Sequence, residues 1–194
     1  MTVKPSHIAV FLPLVFLMAA TRSPTAVGAL LHLHDASWAI FFVAGFCLAD
    51  QWRWAFPALM LEAVGIDYAA VVYLGVGNYC VTAAYWFLVP AYAALWLGGR
   101  WLRERQSLDY RGAAALLTSS LLAISACFLI SNGSFYWLGG RVAEPTWSGW
   151  VQNFSRWYWP FLQSPLLYIA VIATVHVAVL NAQKIAGRRI SRLS

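Results

Sequence analysis

An all-α, integral membrane bundle of six transmembrane helices is the fold this sequence predicts, and three observations predict it. The 194 residues are 61% hydrophobic and only 10% charged, with a mean hydropathy of +0.65. Soluble domains carry about 25% charged residues. Apolar runs recur along the chain at lengths suited to crossing a bilayer. The basic residues fall in the connections between those runs, and far more of them in alternate connections than in the others.

The runs lie at about His7–Thr21, Ala36–Ala49, Trp54–Leu74, Cys80–Leu97, Gly112–Ile130 and Phe161–Ala182. A straight span takes about 20 residues. The last four meet that length, whereas the first two are short and are expected to extend into their flanks. Residues Pro24–Leu31 either lengthen the second helix or form a re-entrant turn. Five spans is the alternative count. The first run follows a lone Lys4, precedes Arg22 and shows no small-x-small cleavage pattern, so it reads as a span and not a secretion signal.

With six spans, one face receives Lys4, Arg53, Arg100, Arg103, Arg105, Arg111, Lys184, Arg188, Arg189 and Arg192, and the other only Arg22, Arg141 and Arg156. The positive-inside rule then puts both termini in the cytoplasm. The net charge of +6 and pI near 9.5 are read as topology and lipid-headgroup contact, not as nucleic-acid binding. A single helical domain fills 1–194, with no Walker glycine loop, His-Glu-x-x-His, Gly-x-Ser-x-Gly or paired CxxC. These absences argue against a conventional hydrolase or pump, and any ATP-driven step needs another chain.

Three segments are expected outside: Arg22–Asp35, the tight Gly75–Tyr79 turn and a long Ser131–Pro160 connection carrying Trp137, Trp147, Trp150, Trp157 and Trp159. Those tryptophans read either as an interfacial belt or as a lid that stacks on a large flat ligand. The fifth span is rich in small residues from Gly112 onward, a surface for close helix packing inside the bundle or against a partner.

The stretch Asp67–Tyr85 concentrates the chemistry. Cys80 follows Gly75-Val76-Gly77-Asn78-Tyr79 and is expected to open a helix at the external face, where the dipole favours the thiolate. Packing, or a disulfide to Cys127, stands beside a functional thiol. Cys47 and Cys127, among apolar neighbours, read as small buried hydrophobes. Asp67 costs about 2.5–3.5 kcal/mol within a span, so it should face inward and find a partner. It lies about 12 Å below the outer end of its helix, and Tyr85 about 7–8 Å down the next. Phenol and carboxylate can therefore meet, or share a ligand. Glu62, deeper in the same helix, joins that network or snorkels. His32, His34 and Asp35 form too small a set for a structural metal site, and His176 reads as an interior histidine or a haem ligand.

On these residues the chain resembles the BtuM-type bacterial cobalamin transporters, which are similar to the substrate-binding S-components of energy-coupling-factor (ECF) transporters. The resemblance covers the whole chain in length and six-span layout. Its specific residues are Cys80 after Gly-Asn-Tyr, with Asp67 and Tyr85. It implies an S-component-like fold in the bacterial cytoplasmic membrane, with vitamin B12 as the bound and transported substrate. Cys80 would be an axial cobalt ligand, with Asp67, Tyr85, Asn78 and Tyr79 around the corrinoid. A sulfur ligand would displace the lower base and favour loss of cyanide from cyanocobalamin when reductant is present, so that transport carries an attendant reaction. The first helix lacks the Ala-x-x-x-Ala pair with which S-components dock on an energising module, which fits a solitary transporter. The rival readings are a haem-binding electron-transfer subunit using His176 and a non-catalytic membrane assembly subunit.

Overall fold

The structure, a computed structural model, describes residues 4–22, 34–75, 77, 82–105, 107 and 109–190, the segment 185–190 as backbone only. The two readings of Pro24–Leu31 lie outside the described residues. Six α-helices form among the described residues: α1 (Pro5–Arg22), α2 (Ser37–Cys47), α3 (Trp52–Tyr73), α4 (Leu88–Arg103), α5 (Tyr110–Leu138) and α6 (Trp147–Ile190). Short 3-10 turns at Ala49–Gln51 and Ala83–Phe87 lead into α3 and α4.

The apolar runs are largely helical over their described residues, but the fourth, expected to meet full span length, becomes regular α-helix only over Leu88–Arg103, 16 residues. Four stretches are long and apolar enough to cross a bilayer: Pro5–Arg22, Ala49–Tyr73, Tyr110–Leu138 and Trp147–Lys184. Their outward residues include Phe16 (75% exposed), Leu61 (73%) and Leu122 (66%), side chains suited to lipid and not to water. The second run does not extend as expected. With 11 residues, α2 is about 16 Å long, half the hydrocarbon thickness.

That short helix is nonetheless the centre of the bundle, with Ile40, Phe41, Phe42 and Ala44 fully enclosed. It touches α1, α3, α4 and α6, and meets α4 most extensively. Two reciprocal glycines explain the closeness of that pair. A Cβ on Gly45 would overlap the Trp96 carbonyl, and one on Gly99 would overlap that of Phe42. Backbone therefore lies on backbone, as small residues permit between membrane helices. The small-residue stripe of α5 packs inside the bundle too, where Ser119 Oγ donates to the Gly98 carbonyl of α4 at 2.6 Å.

Contacts also fix the directions of the helices. Phe11 meets Trp54 (ring centroids 4.9 Å) near one end and Arg22 meets Asp67 near the other, so α1 and α3 run the same way. Phe41 meets Tyr92 and Asp50 meets Arg103, so α2 and α4 run together. Trp38 meets Phe161 and Phe46 meets His176, which aligns α6 with α2.

The long Ser131–Pro160 connection is a correction. Only residues 139–146 lie between α5 and α6. Ser, Asn and Gly after Ile130 suggested a loop, but Ser131 Oγ and Ser134 Oγ return to carbonyls of their own helix at 2.8 and 3.0 Å. Ring contacts of Trp137 with Trp147 and of Phe128 with Phe154, both at 4.9 Å, then join the two helices. At 29 residues, α5 is about 43 Å long and overruns the bilayer core.

At the other end of α5, Asp109 caps the helix, accepting from Ser107 Oγ and from the N–H groups of Gly112 and Arg111. These bonds hold its carboxyl below the ordinary Asp range. Their contribution is present above the unfolded pKa and lost as pH falls through the lowered folded value.

Gly99→Val should lower stability by about 1–3 kcal/mol through overpacking against a backbone that cannot yield. Gly133→Ala, where an added Cβ meets nothing within 4 Å, should be neutral or stabilising. Thermal unfolding of the detergent-solubilised protein checks both; equal losses would refute the interlock.

Candidate functional site

Arg22, the last residue of α1, organises a polar node where four helices and one 3-10 turn converge. Its Nε and Nη2 donate to Asp67 Oδ1 and Oδ2 on α3, both at 2.7 Å. Nη1 donates to Asp35 Oδ2 at 3.1 Å, Ser37 Oγ at 3.0 Å and Tyr92 OH at 3.0 Å. Tyr85, in the turn before α4, donates its hydroxyl to Asp67 Oδ2 at 2.7 Å. One guanidinium faces two carboxylates, and only 11% of its side chain is exposed, against 27% for Asp67. The two-pronged Arg–carboxylate geometry is the strongest form of such a pair.

The surrounding chain explains why the node forms there. Asp35 Oδ1 accepts from Ser37 N–H at 2.9 Å and Ser37 Oγ at 2.5 Å, opening α2. Thr21 Oγ1 accepts the Ala36 N–H at 3.2 Å, and Tyr168 donates to the His34 carbonyl at 2.8 Å. These bonds hold the start of α2 against α1 and α6. Above Asp67, α3 ends at Gly75, whose φ of 65° is the left-handed terminus that glycine supplies without strain.

Asp67 and Tyr85 therefore meet, as their counted depths require. Tyr85 does so from the 3-10 turn Ala83–Phe87, with regular α4 starting only at Leu88. Cys80, Asn78 and Tyr79 lie outside the described residues. The chain on either side is fixed: Gly75 ends α3, and Thr82 opens the turn by accepting the Ala84 N–H at 3.2 Å.

Arg22 and Tyr92 are the functional candidates that sequence reasoning missed. Arg22 was counted as a loop charge, yet an intramembrane carboxylate calls for a named partner, and this is the arginine next to an apolar run on the sparsely basic face. Asp35, considered for metal, is instead bound to Arg22. Among the described residues no group of three or more His, Cys, Asp or Glu is placed to hold a metal. His32 lies outside the described residues. Glu62 does not join the node; both its carboxylate oxygens are enclosed without a hydrogen-bond partner.

Cysteine placement needs one correction. Cys127 is buried and free, but Cys47 is exposed, because α2 stops there and its last turn borders a groove. His176 lines the same groove, edge-on to Phe46 at 6.1 Å, and is exposed, not interior. The tryptophans expected in a loop lie within α5 and α6, where Trp147 meets Trp137 at 4.9 Å and Trp150 at 5.8 Å.

The chain matches no protein-family model and no curated protein.

Arg22→Ala leaves two carboxylates without their cation and should cost about 3–5 kcal/mol. Tyr85→Phe removes one hydrogen bond to a charged acceptor and should cost about 1.5 kcal/mol. Adding Asp67→Asn to Arg22→Ala should recover part of the loss. Unfolding followed by tryptophan fluorescence ranks the three; equal effects of Arg22→Ala and Tyr85→Phe would contradict the central role of Arg22. Glu62→Leu, which removes a carboxylate that has no partner, should leave the midpoint unchanged or raise it.

Proposed function

We propose that this chain is a cobalamin-uptake protein of the bacterial cytoplasmic membrane that binds its corrinoid above the Arg22 node, with Cys80 as axial cobalt ligand. The observation that carries the reading is the Asp67–Tyr85 contact at 2.7 Å. It lies directly below the two chain ends, Gly75 and Thr82, that bracket Cys80. In this reading six spans cross the bilayer with both termini cytoplasmic. The alternating helix directions and the gathering of Arg100, Arg103, Arg105, Arg111 and Lys184 at the end opposite the node support that orientation.

The node suits a ligand rimmed with amides. A carboxylate offers about four acceptor sites, and Asp67 uses one on Oδ1 and two on Oδ2. The remaining site, with the Tyr85 oxygen lone pairs, can take amide N–H groups. Arg22 holds the carboxylate charged and oriented, so these acceptors are in place before the ligand arrives. Asn78 and Tyr79 complete the pocket beside the thiolate.

Thiolate sulfur is a soft, strongly donating ligand for a polarisable metal. Bound to one cobalt face, it displaces the lower base and weakens the bond to an opposite cyanide. An external reductant supplies the electron that lowers the trivalent cobalt, and cyanide leaves with its bonding pair. The protein thus combines uptake with a cysteine-dependent decyanation.

Along the outer face of α1, Ile8, Leu12 and Phe16 are 45%, 58% and 75% exposed. Bulky residues occupy the surface where a small-residue docking pair would sit, which supports a solitary transporter over one coupled to an ECF module. The haem reading is weaker, because among the described residues no second histidine faces His176. The assembly-subunit reading loses its main support, since the small-residue stripe of α5 packs on α4.

In a strain unable to make cobalamin and lacking its own importer, the wild-type chain should restore growth on limiting cobalamin. The purified protein should show corrin absorption with an altered axial ligand, and Cys80→Ala should retain binding while losing cyanide release. A haem Soret band, or decyanation unchanged in Cys80→Ala, would overturn the proposal.

A further inference from the structure

At the end of the bundle opposite the node, a cavity of about 280 Å³ opens between α2, α5 and α6. Its walls are apolar, with Phe46, Leu116, Ile172 and Leu180 among them; Leu102 of α4 and Ser107 of the α4–α5 connection also line it, Ser107 beside Gly112. Along α6 the lining runs from Ile169 to Leu180, about 16 Å at helical rise. That is the shape of a slot for a hydrocarbon chain lying along the helix.

The mouth of the slot is positively charged and short of anions. Lys184 follows Leu180 by one turn on the same face of α6, and Arg111 adjoins Gly112 of the lining. Neither has a carboxylate partner among the described residues. The acids nearby are engaged: Asp50 with Arg103 at 2.7 Å, Glu104 with Arg100 and Arg105 at 3.9 and 3.7 Å, and Asp109 in capping α5. Among the described residues the Arg111 side chain meets the neighbouring Tyr110, ring and hydroxyl.

We infer that this slot binds one anionic phospholipid, an acyl chain between α2, α5 and α6 and the phosphate between Arg111 and Lys184. Basic pockets between membrane helices on the cytoplasmic side bind anionic headgroups in this way. A zwitterionic lipid would fill the slot with its chain but bring its own cation to a mouth that already has two. The site is separate from the node, so it stands whether or not the chain carries cobalamin.

Native mass spectrometry of the full-length protein in detergent, with equal phosphatidylglycerol and phosphatidylcholine added, tests this. One phosphatidylglycerol per chain should be retained preferentially. Arg111→Ala with Lys184→Ala should lower its retention about 30-fold, from roughly 1 kcal/mol per basic residue. These side chains are exposed, so the double variant should fold normally. Ala173→Trp, placing an indole in the slot, should abolish retention with both basic residues intact. Equal retention of the two lipids, or preference unchanged in either variant, would overturn the inference.

Discussion

A single guanidinium bonded to two carboxylates governs this molecule. In a bundle of predominantly apolar side chains, nearly every contact is non-directional and would tolerate sliding. The pair from Arg22 to Asp67 is directional, short and partly buried, and the pair to Asp35 is directional but more exposed. They tie the end of α1 to α3, to the start of α2 and, through Tyr92 and Tyr85, to α4 and its leading turn. The cost of keeping charges in a low-dielectric interior is offset only when geometry is good and lone pairs are occupied. Here the guanidinium makes five hydrogen bonds, to side chains of α3, α4 and the start of α2.

Much of this was readable in the residues. Composition and apolar runs gave the helices, and counting depth from Gly75 and Cys80 put Asp67 opposite Tyr85. Two kinds of feature were not readable. Residues after Ile130 look like a loop by type, because Ser, Asn and Gly favour turns. Their helicity depends on hydroxyls that bond back to preceding carbonyls and on aromatic contacts with the next helix. Arg22 was hidden by a similar ambiguity, since a lone cation at the end of a run reads as an orientation signal until its carboxylate partners are brought beside it in space. Cys47 looked buried because the run continues through Leu48, whereas the helix ends at the cysteine itself.

The functional reading depends on connectivity as much as on contact. Asp67 precedes Gly75 by two turns of α3, and Tyr85 follows Thr82 within the next turn, so the two residues that touch are those that flank the cysteine segment. A ligand held by that segment would be supported from below by oxygen acceptors whose orientation is fixed by an arginine from elsewhere in the chain. In the proposed reading, the polar floor and the cysteine segment would divide the labour of holding a substrate that is both amide-rimmed and metal-centred.

The paired glycines of α2 and α4 have a mechanical corollary. Two backbones in contact cannot shear past one another without collision at Trp96 or Phe42, and Ser119 bolts α5 to the same slab. The α1–α3 pair has no such interlock with α2. Relative sliding is thus resisted by backbone collision within the slab of α2, α4 and α5, whereas α1 and α3 are fastened to it at the node chiefly by the bonds of Arg22.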